Sequence, residues 1–222
     1  MNTWNYGELG RREVFDHFAE VVKAMGNGRR LELLETLAQG EHSVEVLARK
    51  TGLAMTTASN NLQTLKRVGL VETRREGTSI YYRLAGNDVL ELFVAAKRVA
   101  MHRYPALVDS VEAYLGEAAG PGISIDPADV TEDMFVLDVR PQSEYDAAHF
   151  PGAVSIPMDE FEDRIDEIPR DKHVVVYCRG EFCKYAREVA KKLREHGVSA
   201  QAMTEGVIEW QASKEIRLDH TA

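Results

Sequence analysis

The chain has 222 residues, 44% of them hydrophobic and 28% charged, and a formal net charge of −9. This composition excludes a disordered chain, and the length allows one large domain or two small ones. Taken whole, the acidic balance argues against a nucleic-acid partner, but the charge is unevenly spread. Residues 1–120 carry 15 basic and 15 acidic side chains, whereas residues 121–222 carry 12 against 21, so all of the excess acid lies in the C-terminal part. Between 49 and 83, seven basic residues (Arg49, Lys50, Lys66, Arg67, Arg74, Arg75, Arg83) face two acids, Glu72 and Glu76. Two modules with different electrostatic roles are expected.

The longest apolar runs fall far short of the ~18 residues of a membrane span. The start, MNTWNYGELGRR, has no apolar leader core. A cytoplasmic protein without a membrane partner is expected. The two cysteines, Cys178 and Cys183, lie five apart. In a reducing compartment such a pair is more often reactive or ligating than a permanent staple.

In chain order, Val14, Phe18, Val21, Val22 and Met25 fall at helical spacing, and Gly26-Asn27-Gly28 ends that helix. Leu31, Leu34, Leu37 and Ala38 form a second apolar stripe closed by Gly40. Ser43 can cap a short helix through Lys50, ended by Thr51-Gly52. A helix from about Thr56 to Val68 follows, with Ala58, Leu62 and Leu65 on one face. Leu70–Thr73 and Ile80–Leu84, joined by a polar turn over Arg74–Ser79, read as a β-hairpin. A long helical stretch runs from Asp88 to Leu115, and Pro105 should kink or restart it.

Residues 116–123, GEAAGPGI, read as a linker. Domains are therefore expected at 1–115 and 124–222. Beyond the linker, Phe135–Val139, Ala153–Ile156, Val174–Tyr177 and Ala200–Met203 are short strand-like runs, with helical stretches between most of them, clearest over Lys184–His196. Alternating β and α predicts a parallel sheet covered on both faces.

Three helices, a short turn and a basic hairpin make a winged helix-turn-helix. A helix entering the major groove needs short polar side chains at its leading end, here Thr56, Thr57, Ser59, Asn60 and Gln63. Lys66 and Arg67 near its end suit phosphates, as do Arg74 and Arg75 at the wing tip. The competing reading is a helical protein-interaction domain with a solvated charged face. The string SVEVLARKTGLAMTTASNNLQTLKRVGLVETRREGTSIYYRL, with VKAMGNGRRLELLETLAQGE before it, resembles the ArsR/SmtB family of bacterial repressors. The resemblance spans about residues 14–100. It implies a homodimer on palindromic double-stranded operator DNA, with the first helix and the 88–115 helix at the interface.

Members of that family that sense metals carry cysteines before the recognition helix or His/Asp pairs on the last helix. Residues 43–51 lack cysteine and the 88–115 stretch has only His102, so neither a metal nor any cofactor is expected. Asn60-Asn61 stands where the family usually has His-His, which leaves the operator sequence open.

In the C-terminal part, Val174–Tyr177 is a buried-strand pattern that runs into Cys178-Arg179-Gly180-Glu181-Phe182-Cys183-Lys184 and then a helix. Backbone amides of residues 179–183 and a helix N-terminus would cradle Cys178 and lower its thiol pKa. Such a thiolate can attack a sulfane sulfur and hold it as a persulfide. Arg179 and Lys184 could add charge for an anionic donor. The alternative is an inert strand-end cysteine. Three strings, LDVRPQSEYDAAHFPGAVSIP, VYCRGEFC and TEGVIEW, resemble the rhodanese family over about residues 124–215. The resemblance implies that Cys178 is the persulfide-forming nucleophile. It also implies that Asp138 and Arg140 support the loop, and that His149 and Trp210 are structural. Ala148 stands where Gly is usual, Glu205-Gly206 replaces Gly-Gly, and Cys183 stands where many members have a basic residue. Cys183 is then either a redox partner for Cys178 or a small residue filling space.

The expected fold is a mainly α winged helix-turn-helix with a β-hairpin wing, followed by an α/β rhodanese-like domain with a parallel sheet. The expected function is a repressor that senses or transfers reactive sulfur at Cys178. The alternatives are a rhodanese-type sulfurtransferase with an autoregulatory DNA-binding domain, and an oxyanion sensor of the arsenate type. The expected small partner is a sulfur donor or an anion.

Overall fold

A computed structural model describes residues 10–116 and 122–221. They form two compact units, one up to Val89 and one from Leu90 onward. Most of the segment expected as a linker, 117–121, lies outside the described residues.

The first unit runs α1 (Arg11–Met25), α2 (Gly28–Leu37), β1 (His42–Ser43), α3 (Val44–Lys50), α4 (Met55–Arg67), β2 (Val71–Glu76) and β3 (Ser79–Leu84). Side-chain caps start two of the helices. Asn27 accepts from the Arg30 amide at α2, and Ser43 from the Val46 amide at α3. Leu33, Leu34, Leu47, Ala58, Leu62 and Leu65 are fully or almost fully buried, so the stripes of α2 and α4 are core faces, whereas Val14, Phe18 and Val22 of the α1 stripe stay exposed and only its Met25 is buried. The strands pair antiparallel in the order β1-β3-β2. The hairpin is longer than expected. Pairing continues to Glu76 opposite Ser79, so the turn is only Gly77-Thr78, with Gly77 at φ +58°. Arg74 and Arg75 are therefore strand residues facing Tyr81 and Ile80.

The second unit opens with α5 (Asn87–Arg103), which begins three residues before the division, and α6 (Pro105–Leu115). Pro105 restarts the helix as its first residue, where its missing N–H costs nothing. Then come β4 (Ser124–Ile125), β5 (Phe135–Asp138), α7 (Gln142–Ala147), β6 (Val154–Ser155), α8 (Phe161–Arg164), β7 (Val174–Tyr177), α9 (Tyr185–Glu195), β8 (Ala200–Met203) and α10 (Val207–Ser213). The sheet order is β4-β8-β7-β5-β6, and every pairing is parallel. The expected α/β domain is present, with one strand more than the sequence showed. β4 is only two residues long, too short for any period-2 pattern.

β7 is central and buried throughout. Its alternate residues serve two cores. Val174, Val176 and Cys178 pack on one face with Val189, Ala190 and Leu193 of α9. Val175 and Tyr177 pack on the other with Val207 and Trp210 of α10. The ends of β5, β6, β7 and β8 deliver Arg140, Met158, Cys178 and Gly206 to one edge of the sheet, where open parallel sheets place their sites.

Candidate functional site

In the first unit, the recognition helix α4 buries Ala58, Leu62 and Leu65. Thr56, Asn60, Gln63 and Arg67, spaced along the opposite face, are exposed, while Thr57 and Ser59 are half-buried. Gln63 donates to the Tyr82 hydroxyl at 2.9 Å, and Lys66 donates to Thr73 Oγ1 at 2.8 Å, so both tie the helix to the wing. Arg75 is exposed and donates to the Gly77 carbonyl across the turn at 3.2 Å. Arg74, also exposed, carries two carboxylate partners. Its guanidinium donates to Glu41 at 2.6 Å and to Glu76 at 2.6 Å, and it lies 4.9 Å from the Tyr81 ring centre. The hydrogen bond from Arg74 holds the Glu41 carboxyl below the ordinary carboxylate range.

In the second unit, Cys178 follows β7 and is 3% exposed. It is joined to Cys183 as a disulfide, with the two Cα atoms 6.3 Å apart, inside the range such a bond requires. A tight turn, with the Cys183 amide donating to the Gly180 carbonyl at 2.9 Å, brings the two residues together. Two further bonds pin the loop. Ile208 N–H donates to the Arg179 carbonyl at 3.0 Å, and Arg187 of α9 donates to the carbonyls of Glu181 and Cys183 at 3.2 and 3.4 Å. Arg187 is itself buried, and that burial lowers its pKa from the usual guanidinium value.

A cleft of about 330 Å³ opens over Cys178, lined by Val139, Arg140, Pro141, Met158, Asp159, Arg179 and Tyr185. Both arginines that reach it carry a buried counter-ion. Arg140 pairs with Asp138 at 2.7 Å and also donates to the Ala148 carbonyl at 2.6 Å. Burial works against its charge, but Asp138 outweighs that and raises its pKa. Arg179 donates through Nε and Nη2 to the two oxygens of Glu144, each at 2.8 Å, and Glu144 is 1% exposed. Lys184 pairs with Glu188 at 3.3 Å on its own helix. Arg179 and Lys184, expected to lend charge to an anionic donor, are thus each matched by a carboxylate. His149 stacks on Tyr145 with ring centres 3.8 Å apart, and Trp210 packs edge-on against Tyr177; neither lines the cleft.

Three residues given no site role from the sequence complete the loop's setting. Gly206 lies flat against it. A Cβ there would fall 2.5 Å from the Cys178 carbonyl oxygen and 2.6 Å from the Gly180 nitrogen, so only glycine fits. Glu209 of α10 accepts from the Gly206 amide at 3.0 Å. Lys97 of α5 ion-pairs with Glu209, and its ammonium lies 3.6 Å from Glu181 and 5.0 Å from the Phe182 ring centre. One signal could have found Lys97. It falls at the helical spacing of Leu90 and Phe93, a buried face where a lysine is out of place. Among the described residues no cluster of three or more His, Cys, Asp or Glu is arranged to hold a metal ion, and no helix is long and apolar enough to cross a membrane.

A polar-faced helix backed by a short hairpin wing, followed by a parallel sheet with a cysteine at the end of its central strand, defines the class: a winged-helix regulator carrying a rhodanese-like domain. Residues 25–74 match the helix-turn-helix domain family and residues 126–213 the rhodanese-like domain family. The chain belongs to the ArsR-type helix-turn-helix transcriptional regulators with a C-terminal rhodanese-like domain. It is 42% identical over 203 residues to HTH-type transcriptional regulator Rv0324 of Mycobacterium tuberculosis, covering 89% of this chain and 88% of that one. Over 99 residues it is 32% identical to a tRNA sulfurtransferase of Desulfurococcus amylolyticus, 45% of this chain but 19% of that protein. It is 52% identical to the solved homodimeric winged helix-turn-helix DNA-binding domain of Mb0332 from Mycobacterium bovis, covering 44% of this chain and 92% of that one with a TM-score of 0.41.

Proposed function

We propose that this transcriptional regulator is a repressor that reads reactive sulfur through Cys178 and Cys183. The observation that carries the reading is the joined pair itself, two cysteines held 6.3 Å apart at Cα on a pinned loop over a cleft. In the reduced protein, the Cys178 thiolate attacks the outer sulfur of a persulfide, R–S–SH. A bond forms between Cys178 Sγ and that sulfur, the R–S bond to it breaks, and R–S⁻ leaves. Cys183 thiolate then attacks Cys178 Sγ, expels the added sulfur as HS⁻, and leaves the disulfide. Two thiols are oxidised to a disulfide and the persulfide sulfur is reduced to sulfide. This resolution limits the reaction to one equivalent until the pair is reduced again, which separates a sensor from a sulfurtransferase that turns over.

DNA binding is assigned to the exposed face of α4, with Thr56, Asn60, Gln63 and Arg67 toward the bases and phosphates, and Arg75 on the wing. A homodimer on a palindromic operator is supported by apolar side chains left exposed on helices of the single chain. On α1 these are Val14, Phe15, Phe18 and Val22, 53–64% exposed; on α5 they are Leu92 and Val99. For sulfur to control DNA binding, the oxidised and reduced forms must differ in operator affinity, typically by 1–3 kcal/mol.

The test is an operator titration of the reduced protein with and without a persulfide donor. The expected result is a change of about tenfold in affinity in the wild type, absent in Cys178→Ser. In Cys183→Ser, one sulfur should accumulate on Cys178 by mass spectrometry. Unchanged affinity in wild type and both variants overturns the sensing role.

A further inference from the structure

Resting on the sulfur-accepting role proposed for Cys178, the charge around its cleft identifies the class of donor. Thiosulfate carries two negative charges to a thiolate and expels sulfite, itself a dianion, so three negative charges gather during transfer. A cleft built for that reaction answers them with positive charge, from side-chain cations beside the backbone amides of the loop. Here the two cations that line it, Arg140 and Arg179, are matched by Asp138 and Glu144, both fully buried. Both guanidinium charges are thus already balanced by carboxylates, and drawing either arginine away from its partner is unfavourable. The remaining charged residue of the lining, Asp159, is an exposed acid. The cleft with its counter-ions therefore carries one negative charge, and it repels a dianion further. Its other walls are apolar or aromatic, namely Val139, Pro141, Met158 and Tyr185, with Tyr185 40% exposed at the rim.

We infer that the donor is a small organic persulfide whose carbon group is uncharged and apolar, seated against Tyr185 and Met158 with its S–SH end toward Cys178. Reacting as protonated R–S–SH, the donor leaves R–S⁻ as the only new anion, so the reacting groups carry one negative charge throughout: it starts on Cys178 and ends on the departing thiolate. Asp159 excludes anionic donors, and Tyr185 supplies contact for the apolar one.

Three donors test this on the reduced full-length Cys183→Ser protein, where the added sulfur stays on Cys178: benzyl persulfide, 2-sulfoethyl persulfide and thiosulfate. Each rate of sulfur gain, followed by mass spectrometry, is divided by the rate of the same donor with free glutathione, which removes intrinsic reactivity. Benzyl persulfide should lead both anionic donors by about tenfold or more. Asp159→Asn should narrow that ratio several-fold, and Tyr185→Ser should narrow it by slowing the benzyl donor. A normalised rate for thiosulfate or 2-sulfoethyl persulfide equal to that of benzyl persulfide overturns the inference while the sulfur-accepting role stands. So does a ratio untouched by Asp159→Asn. If Cys178 gains sulfur from none of the three, the sulfur-accepting role fails and the donor class falls with it.

Discussion

The two units handle charge in opposite ways. In the winged-helix unit the charged side chains are exposed, and their pairs, Arg74–Glu41 and Arg83–Glu72, lie at the surface. In the rhodanese-like unit three pairs beside the cysteine loop have a buried carboxylate: Asp138–Arg140, Glu144–Arg179 and Lys97–Glu209. Surface pairs contribute little and exchange partners easily; buried ones set geometry, because breaking one strands a charge away from water. One unit keeps its charge available to a polyanion, and the other spends it on holding a reactive loop still.

Substitutions should separate the two regimes. The largest effect is expected from Lys97→Met, which leaves Glu209 buried without its cation. A loss of about 3–5 kcal/mol is expected for the rhodanese-like unit in denaturant unfolding, with much of it recovered in Lys97→Met/Glu209→Gln. Full stability in the single variant would break the contrast. Gly206→Ala comes next. Its Cβ collides with loop backbone rather than with a flexible side chain, so a cost of about 1–3 kcal/mol in thermal unfolding and slower sulfur uptake at Cys178 are expected.

On the other unit, Asn60→Ala should leave thermal stability within about 0.5 kcal/mol, as surface changes do, while weakening operator binding by about 1–3 kcal/mol in a fluorescence titration. The smallest effect is expected from Glu41→Gln, which releases one of the two carboxylates on Arg74. Non-specific DNA affinity at low salt should rise a few-fold, and the salt dependence should steepen by at most about one unit of slope. Because Arg74 lowers the Glu41 pKa, the pair is complete above the ordinary glutamate value of about 4.3. It is lost only as pH falls through the lower folded-state value. Wild type and Glu41→Gln should therefore differ at neutral pH and converge in acid.

The same contrast decides what could be read from the sequence. Some functional features announce themselves by type: short polar side chains at the head of α4 with an apolar opposite face, or the apolar run Val174–Tyr177 followed by a cysteine. The α/β sheet was legible because its central strand is apolar throughout. The wing was misread in length because Val71-Glu72-Thr73-Arg74-Arg75-Glu76 becomes polar halfway along; its outer half is a strand only through pairing with Ser79–Leu84. Glu144 was invisible because α7 has six residues, too few to display a buried face. Its pairing with Arg179, 35 residues away, is a property of the packed sheet edge and not of local pattern.

The place of Lys97 also bears on modularity. It belongs to α5, well upstream of residues 126–213 that match the rhodanese-like family, yet its partner Glu209 lies inside them. A fragment cut at the family boundary inherits the acid without the base. A fragment that keeps the cysteine loop with this ion pair intact therefore includes α5.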